Sequence, residues 1–463
     1  MEKTICCIGA GYVGACTFAV IAEHCPKIKV IVCDIDENRI AGWNSDNLPL
    51  FEPGLKEVIN IARTKNNNLF FTTEVEKSIK EADIIFIAVS TPTKTYGRGA
   101  NKAFDMSSWD AVSRTIAKVS ESNKIIVEKS TVPVKTAEKV QIILDSLKTN
   151  KNVQFQIVSN PEFLAEGSAI KDLEVPDRVL VGGNYHTPEG KKAIDDVCDI
   201  YAHWVPREKI MTTNMWTSEL SKLASNAFLA QRISSINAIS AICEETGADV
   251  EDVSKVLGMD DRIGSKYLKA SVGFGGSCLK KDVLALVYIC ESYQLYQVAE
   301  FWKSIVTINE FQKQRFATRI LETMNGTVRR KKLCVFGFAF KKDTGDCRET
   351  SAIEIIDFLI NENADIHIYD PKVTEADIHS YFPTVTAHNN YNSAVDGAHA
   401  IIVITEWDQF ITYDYNAIFA SMQKPAYIFD GRNILNHNAL QQIGFHVHAI
   451  GKLNNSEYKH IVL

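Results

Sequence analysis

A cysteine and an aspartate stand four positions apart in GFGGSCLKKD, residues 273–282, where Gly273, Gly275 and Gly276 leave the chain bare of side chains. Cys278 is a candidate nucleophile, because a bare loop lets a ligand approach a thiol closely. Asp282, one helical turn on, is placed to hold or activate a water. A thiol that attacks an aldehyde forms a thiohemiacetal; loss of a second hydride gives a thioester, and water then releases an acid. Such chemistry oxidises one alcohol twice. It also needs a cation or donor for the developing oxyanion. Lys222 and Asn226, at i and i+4 of a helical stretch, share one face and fit that need. The ordinary reading of Lys222 is a solvated lysine, yet Leu220, Leu223 and Ala224 surround it in a helix expected to be covered, where Asn226 also requires a partner.

Other candidates follow strand-like runs. SNPEFLAEGSAIKD (159–172) puts Glu162 and Glu166 where a substrate would lie, although both also suit a helix N-terminus. GFAFKKDTGDCRE clusters Lys341, Lys342 and Arg348, and Arg432 follows AYIFDG; this basic set suits a diphosphate or, more ordinarily, solvent. The hydride acceptor is signalled at the start of the chain. ICCIGAGYVG (5–14) runs from a strand into Gly9, Ala10, Gly11, Tyr12, Val13 and Gly14, and Asp34 ends the next strand. Glycines allow a tight turn and close approach of a pyrophosphate, while the carboxylate suits a ribose 2′-hydroxyl and would repel a 2′-phosphate. The combination favours NAD over NADP; the alternative is a glycine turn that merely packs a sheet. VSTPT (89–93) and EKSTVP (128–133) end strands in the same region and read equally as ordinary turns.

The elements that must position these residues show as periodicity. TICCIGA, KVIVCD, DIIFIAVS, KIIVEKS and FQIVSN alternate with helix-patterned segments over roughly the first 210 residues, which predicts a parallel sheet covered on both faces. Residues 218–245 carry Leu220, Leu223, Ala227, Ala230, Ile233, Ile236 and Ile239 at three- and four-residue steps, one long helix linking two domains and suited to pack on a second subunit. The strand–helix rhythm restarts near Gly326. The expected fold is α/β: two Rossmann-like parallel-sheet domains joined by a long central helix and a helical dimerisation region. The boundaries are 1–212 for the NAD-binding domain, 213–325 for the central helical part and 326–463 for the C-terminal domain.

A chain of 463 residues demands two or three domains, and 46% apolar with 23% charged residues is ordinary for a soluble protein. A net charge of -7 argues against nucleic acid or an anionic membrane as the main partner. The first strand-like run begins at Thr4, leaving no room for a signal peptide, and no apolar run reaches the roughly 18 residues of a membrane span. Eleven scattered cysteines read as reduced core thiols of a cytoplasmic protein, and no spacing resembles a zinc site, so no metal is expected.

Together the motifs are specific. GAGYVG, STPTKTYG, EKSTVPV, NPEFLAEG, ELSKLASNAFLAQRISSINAIS, ASVGFGGSC, GFAFKKDTGDCRE, TEWD and FDGRN, in this order and spacing over residues 1–452, resemble the UDP-glucose/GDP-mannose dehydrogenase family, and its animal-type members most. The resemblance implies oxidation of UDP-glucose at C6 to UDP-glucuronate with reduction of two NAD. It implies Cys278 as nucleophile, Lys222 and Asn226 as oxyanion stabilisers, and Asp282 as activator of the hydrolytic water, assisted by Thr131 and Glu162. Cofactor contacts are implied for Gly9 through Gly14, Asp34, Arg39, Val89, Ser90, Thr91, Pro92, Thr93, Ser130, Thr131, Val132, Glu166 and Arg348. Substrate contacts are implied for Glu162, Phe163, Leu164, Ala165, Glu166, Lys222, Leu223, Ala224, Ser225 and Asn226. They are implied also for Lys269, Ala270, Ser271, Val272, Gly273, Phe274, Gly275, Phe340, Lys341 and Arg432, with Arg262 reaching the substrate of a neighbouring subunit. The family further implies a homodimer that builds a homohexamer, and UDP-xylose as feedback inhibitor. In vertebrate members a polar, basic tail follows the position of Leu463, and the resemblance leaves tail-dependent effects open for this chain. Within the same chemistry the base and sugar stay open (GDP-mannose or a UDP-N-acetylhexosamine); a one-step hydroxyacid dehydrogenase and a silent NAD-binding scaffold are the alternatives outside it.

Overall fold

The computed structural model describes residues 3–453 in two compact units, one running through Ser225 and the other from Asn226. The polar stretch beyond Leu453 lies outside the described residues.

In the first unit, eight strands form one sheet: β1 (Lys3–Ile8), β2 (Ile28–Cys33), β3 (Leu69–Thr72), β4 (Ile84–Ile87), β5 (Lys124–Glu128), β6 (Phe155–Ser159), β7 (Val179–Gly183) and β8 (Ile210–Thr213). Their spatial order is β3-β2-β1-β4-β5-β6-β7-β8. Ile5, Cys6, Cys7 and Ile8 are all buried, as continuous apolar runs require when helices cover both faces. Every pairing is parallel except β6 with β7, where Val158 faces Gly183; the expected parallel sheet therefore carries an antiparallel turn-back near its far edge. The order reverses between β1 and β4, and there the crevice at the strands' carboxyl ends is flanked by the glycine turn and by residues 88–93.

The long helix spans Met215–Thr246, 32 residues, and the division between the units falls within it. Asn214 Oδ1 accepts from Thr217 N at its start, and Gly247, at φ +80°, lets the chain leave it. Leu223, Ala227, Ala230 and Ile236 are buried as the stripe predicted, but Leu220 is 42% exposed, beside exposed Trp216 and Phe228.

The second unit continues with helices at Val250–Gly258, Leu279–Ser292 and Tyr296–Thr323. Its sheet contains β9 (Lys332–Phe336), β10 (Asp365–Tyr369), β11 (Thr386–His388), β12 (Ala400–Val403), β13 (Tyr427–Asp430) and β14 (His446–Ala449). The order β11-β10-β9-β12-β13-β14 repeats the winding of the first six strands of the first sheet, and every pair is parallel. The two sheets also share a device. Asp34, just after β2, accepts from Ala10 N at 2.8 Å, and Asp370, just after β10, accepts from Phe338 N and Ala339 N at 2.7 and 2.9 Å. In each, a carboxylate braces the turn after the central strand. No described helix is long and apolar enough to cross a membrane.

Candidate active site

The glycine turn is built as its sequence predicts. Gly9 sits at φ +111°, and a Cβ there would meet Ala88 O at 2.6 Å, so only glycine fits. Gly9 N donates to Cys33 O, Trp43 Nε1 donates to Ala10 O, and Asp34 holds Ala10 N, which locks the turn to β2 and to the following helix. The helix Tyr12–His24 then opens with no side-chain cap and no acidic residue in its first turn. A Cβ at Gly11 would meet nothing within 4 Å. Uncapped N–H donors for a pyrophosphate, open space, and a carboxylate acceptor for a ribose hydroxyl at the end of β2 are what a dinucleotide requires, so the residues fit NAD. Arg39 Nη1 lies 3.1 Å from Asp34 Oδ2.

The neighbouring loops are tied together. Thr91 Oγ1 donates to Thr131 O at 2.9 Å, and Ser130 Oγ donates to Val89 O at 2.6 Å, so the expected 89–93 and 130–132 segments form one wall. Val132 is buried, whereas Ser90 and Pro92 are exposed. Glu52, buried and not singled out in the sequence, accepts from Gly167 N and Ala169 N at 2.7 Å each and from Tyr12 OH. It joins the glycine turn to the loop that carries Glu166, a residue left half-buried.

Glu162 and Lys222 are the charged centre of the first unit's candidate site. Both are buried, and Lys222 Nζ lies 3.0 Å from Glu162 Oε1. Glu162 Oε2 is also shielded from solvent and accepts no hydrogen bond, so this carboxylate retains an unspent acceptor. The Phe163 ring lies beneath two cations, Arg178 at 3.9 Å and Lys222 at 5.5 Å. Behind them is Lys129, which the sequence reading passed over within EKSTVP. Its ammonium is enclosed and donates to Asn160 Oδ1 and Tyr201 OH, both at 3.2 Å. Burial first, then the Lys222 charge, pushes Lys129 down to about 8, against the opposing pull of Glu162 and Cys7.

In the second unit, Cys278 is the N-cap of the helix Leu279–Ser292 and is exposed; Ser277 Oγ lies 3.5 Å from its sulfur. Asp282 N bonds Cys278 O at 2.9 Å, so the carboxylate rises from the first turn of the same helix. Asp282 is fully buried, and Asn226 Nδ2 donates to its Oδ2 at 2.6 Å. Oδ1 pairs with Lys281 Nζ at 3.3 Å but accepts no hydrogen bond. The dispersed Asn226 and Asp282 are thus brought into direct contact.

The glycines of this loop meet close neighbours. Gly276, at φ +84°, has the Phe340 ring 2.8 Å from where a Cβ would stand, and its N–H donates to Arg348 O. Arg432 donates from Nη2 to Phe340 O at 3.0 Å, which gathers Phe340, Arg348 and Arg432 behind the loop that carries Cys278. Lys341 Nζ lies 5.9 Å from the Phe340 ring centre, whereas Lys342 pairs with Asp408. Lys269 and Arg262 are exposed, the latter bonded to Asp260. What holds residues 271–274 was not singled out in the sequence and comes from distant positions in the chain. Asn309, wholly buried in the helix Tyr296–Thr323, accepts from Phe274 N at 2.8 Å and donates to Phe274 O at 3.0 Å. Gln312 Nε2 donates to Ser271 O, and Asn237 Oδ1 accepts from Ser271 N. Three buried amides clamp the loop; an Asn or Gln inside an otherwise apolar helical face is the signal that could have found them.

A doubly wound sheet with a glycine turn after β1 and an acid after β2 defines a dinucleotide-binding protein, and in the second unit an exposed thiol stands one helical turn from a buried carboxylate. The sequence profiles of the UDP-glucose/GDP-mannose dehydrogenase family match residues 3–205 (NAD binding domain), 216–311 (central domain) and 334–437 (UDP binding domain), and the chain belongs to that family. It is 55% identical to the UDP-glucose 6-dehydrogenase of Bos taurus over 98% of this chain and 94% of that protein. It is 56% identical to UDP-glucose 6-dehydrogenase 1 of Glycine max over 97% of each. A UDP-glucose dehydrogenase from the hyperthermophilic archaeon Pyrobaculum islandicum shares the fold with a TM-score of 0.86 at 28% identity, with 98% of each chain covered.

Proposed function

We propose that this chain oxidises UDP-glucose at C6 to UDP-glucuronate with reduction of two NAD. The observation that carries the reading is the exposed Cys278 thiol at a helix N-cap, one turn from a buried carboxylate held by Asn226. Bound NAD supplies the hydride acceptor, once for each oxidation. Gly9 through Gly14, Asp34 and Arg39, the 89–93 and 130–132 segments, Glu166 and Arg348 are assigned to hold it.

The remaining work belongs to the protein. Lys222 takes the hydroxyl proton as the alcohol becomes an aldehyde, and passes one of its own ammonium protons to the Glu162 carboxylate 3.0 Å away, so that the amine lone pair is free to accept it. The Cys278 sulfur then adds to the aldehyde carbon, with the helix N-terminus favouring its anionic form. The negative charge that gathers on the former carbonyl oxygen falls to Lys222 and to Asn226. An amide nitrogen carries two N–H groups; one is committed to Asp282, and the other remains for an oxyanion. The second oxidation leaves a thioester. Asp282, through Oδ1, and Glu162, through Oε2, each hold an unspent acceptor suited to a hydrolytic water; Thr131 assists. Attack of that water on the thioester carbonyl releases the carboxylate and returns the thiol. Residues 162–166, 222–226 and 269–275, with Phe340, Lys341 and Arg432, are assigned to the nucleotide sugar.

The family resemblance also supports a cytoplasmic homodimer that builds a hexamer, with Arg262 serving a neighbouring subunit and UDP-xylose as inhibitor. Exposed Trp216, Leu220 and Phe228 on one helix support self-association. The test is the NADH formed from a limiting amount of UDP-glucose. Two per sugar is expected. A ratio of one favours a single-step dehydrogenase, and turnover of GDP-mannose but not UDP-glucose reassigns the substrate.

A further inference from the structure

Away from the candidate site, Glu23 and His24 end the first helix, and Glu174 ends the helix Ala169–Glu174. One ligand atom from each of the three lies within 4.8 Å of the other two. His24 Nε2 is 2.7 Å from Glu174 Oε2. Glu23 Oε2 is shielded from solvent and accepts no hydrogen bond, although Glu23 as a residue is only half-buried. Its neighbour Glu174 is another acceptor. Two carboxylates pressed together, one with a shielded oxygen that nothing satisfies, need a proton or a cation between them.

The surroundings favour the cation. Glu23 and His24 stand in the last turn of a 13-residue helix, whose C-terminal end carries partial negative charge. The imidazole is held in orientation: the Trp204 ring stacks on it at 4.9 Å and 15°, and Trp204 Nε1 donates to Leu173 O at 2.9 Å, next to Glu174.

We propose that Glu23, His24 and Glu174 form a binding site for a borderline first-row divalent cation such as zinc. One imidazole nitrogen and two carboxylate oxygens suit zinc, cobalt or nickel; magnesium and calcium prefer all-oxygen sets. Bonds of about 2.1 Å require the three groups to draw together, and the half-exposed position leaves room for water to complete the shell. The site is separate from the hydride chemistry and stands or falls independently of it.

The experiment is calorimetric titration of the full chain with Zn²⁺ and fluorescence titration with Ni²⁺, both in a Cys278→Ser background that removes the exposed thiol as a competing ligand. One cation per chain is expected. Ni²⁺ should quench tryptophan emission, and Trp204→Phe should lose that quenching while calorimetry still registers Zn²⁺. His24→Ala and Glu23→Gln should each weaken binding at least tenfold. In the chain with Cys278 intact, Glu23→Gln should leave metal-free oxidation of UDP-glucose unchanged. Absence of binding up to millimolar Zn²⁺, or titrations unaltered by both substitutions, would overturn the proposal.

Discussion

Replacing Lys129 with methionine should change how stability depends on pH in a direction fixed by its surroundings. The ammonium is enclosed, and burial takes it from the ordinary 10.5 down to about 8. Below pH 8 it is charged in folded and unfolded chains alike, and the folded state bears the full cost of the buried charge. That difference, at about 1.4 kcal/mol per pH unit, is on the order of 3 kcal/mol. As pH rises through 8 toward 10.5, the folded chain releases the proton while the unfolded chain keeps it. The unfolded state then binds more protons, so stability rises with pH. Between pH 7 and 9 the recovery is roughly 1.3 kcal/mol. Lys129→Met removes this dependence and keeps a similar length of side chain. Asn160 Oδ1 and Tyr201 OH stay satisfied, because they already bond each other at 2.6 Å. Glu128 next door, pushed well up by burial and by the Glu219 charge, titrates in the opposite sense, but it is present in both proteins and cancels from the difference. A domain of this size moves by about 2–4 °C in Tm per kcal/mol. The Tm of the variant minus that of the parent should therefore fall by about 3–5 °C from pH 7 to pH 9, measured by differential scanning. A difference that stays flat across that window would show that Lys129 does not titrate there, and the electrostatic reading of this part of the site would be wrong.

Cys278→Ala should abolish formation of the acid, whereas Cys278→Ser should accumulate a slowly hydrolysed ester visible as added mass on the intact chain; mass found on another residue would move the nucleophile. Asp34→Asn keeps an acceptor for Ala10 N but removes the charge, and should raise the KM for NAD by about tenfold or more, consistent with the roughly 1.5–3 kcal/mol of a charge-assisted bond. Steady-state kinetics with NAD and NADP checks this, and an unchanged preference between them would contradict the assignment of Asp34. Asn309→Ala leaves both main-chain groups of Phe274 unsatisfied, a loss on the order of 3 kcal/mol, and should lower kcat for UDP-glucose far more than it alters the KM for NAD; an equal change in both would mean general loosening and not a displaced nucleophile loop.

Legibility in the sequence followed the range of the interactions involved. The glycine turn, Asp34 and the long helix are local patterns, and each of them stands where periodicity and spacing put it. Cys278 and Asp282 were readable as a pair because one helical turn joins them. Asn226 and Lys222 were readable as awkward polar residues in an apolar stretch, which the burial of both bears out. Some short strands were another matter: β3, β8, β11 and β14 have three or four residues each and lack the unbroken apolar run that marks β4 at the same length, and β7 ends in two glycines. The antiparallel pairing of β6 with β7 had no local mark at all.

What stayed hidden were the groups whose partners are distant in sequence. Asn309 acts on Phe274 from 35 residues away, and Glu52 acts on Gly167 from 115. Neither sits in a motif, and both are buried polar residues whose reason for being there is the main-chain group they satisfy. The division is physical. Groups placed to touch a ligand must lie on glycine turns and helix starts, which local sequence encodes, whereas groups that hold those turns in register need only reach a backbone amide, and any helix packed alongside can supply one. Glu23 and Glu174 belong to the second kind by sequence separation and to the first by chemistry: ligating atoms brought together by two helix ends, with no spacing rule to announce them.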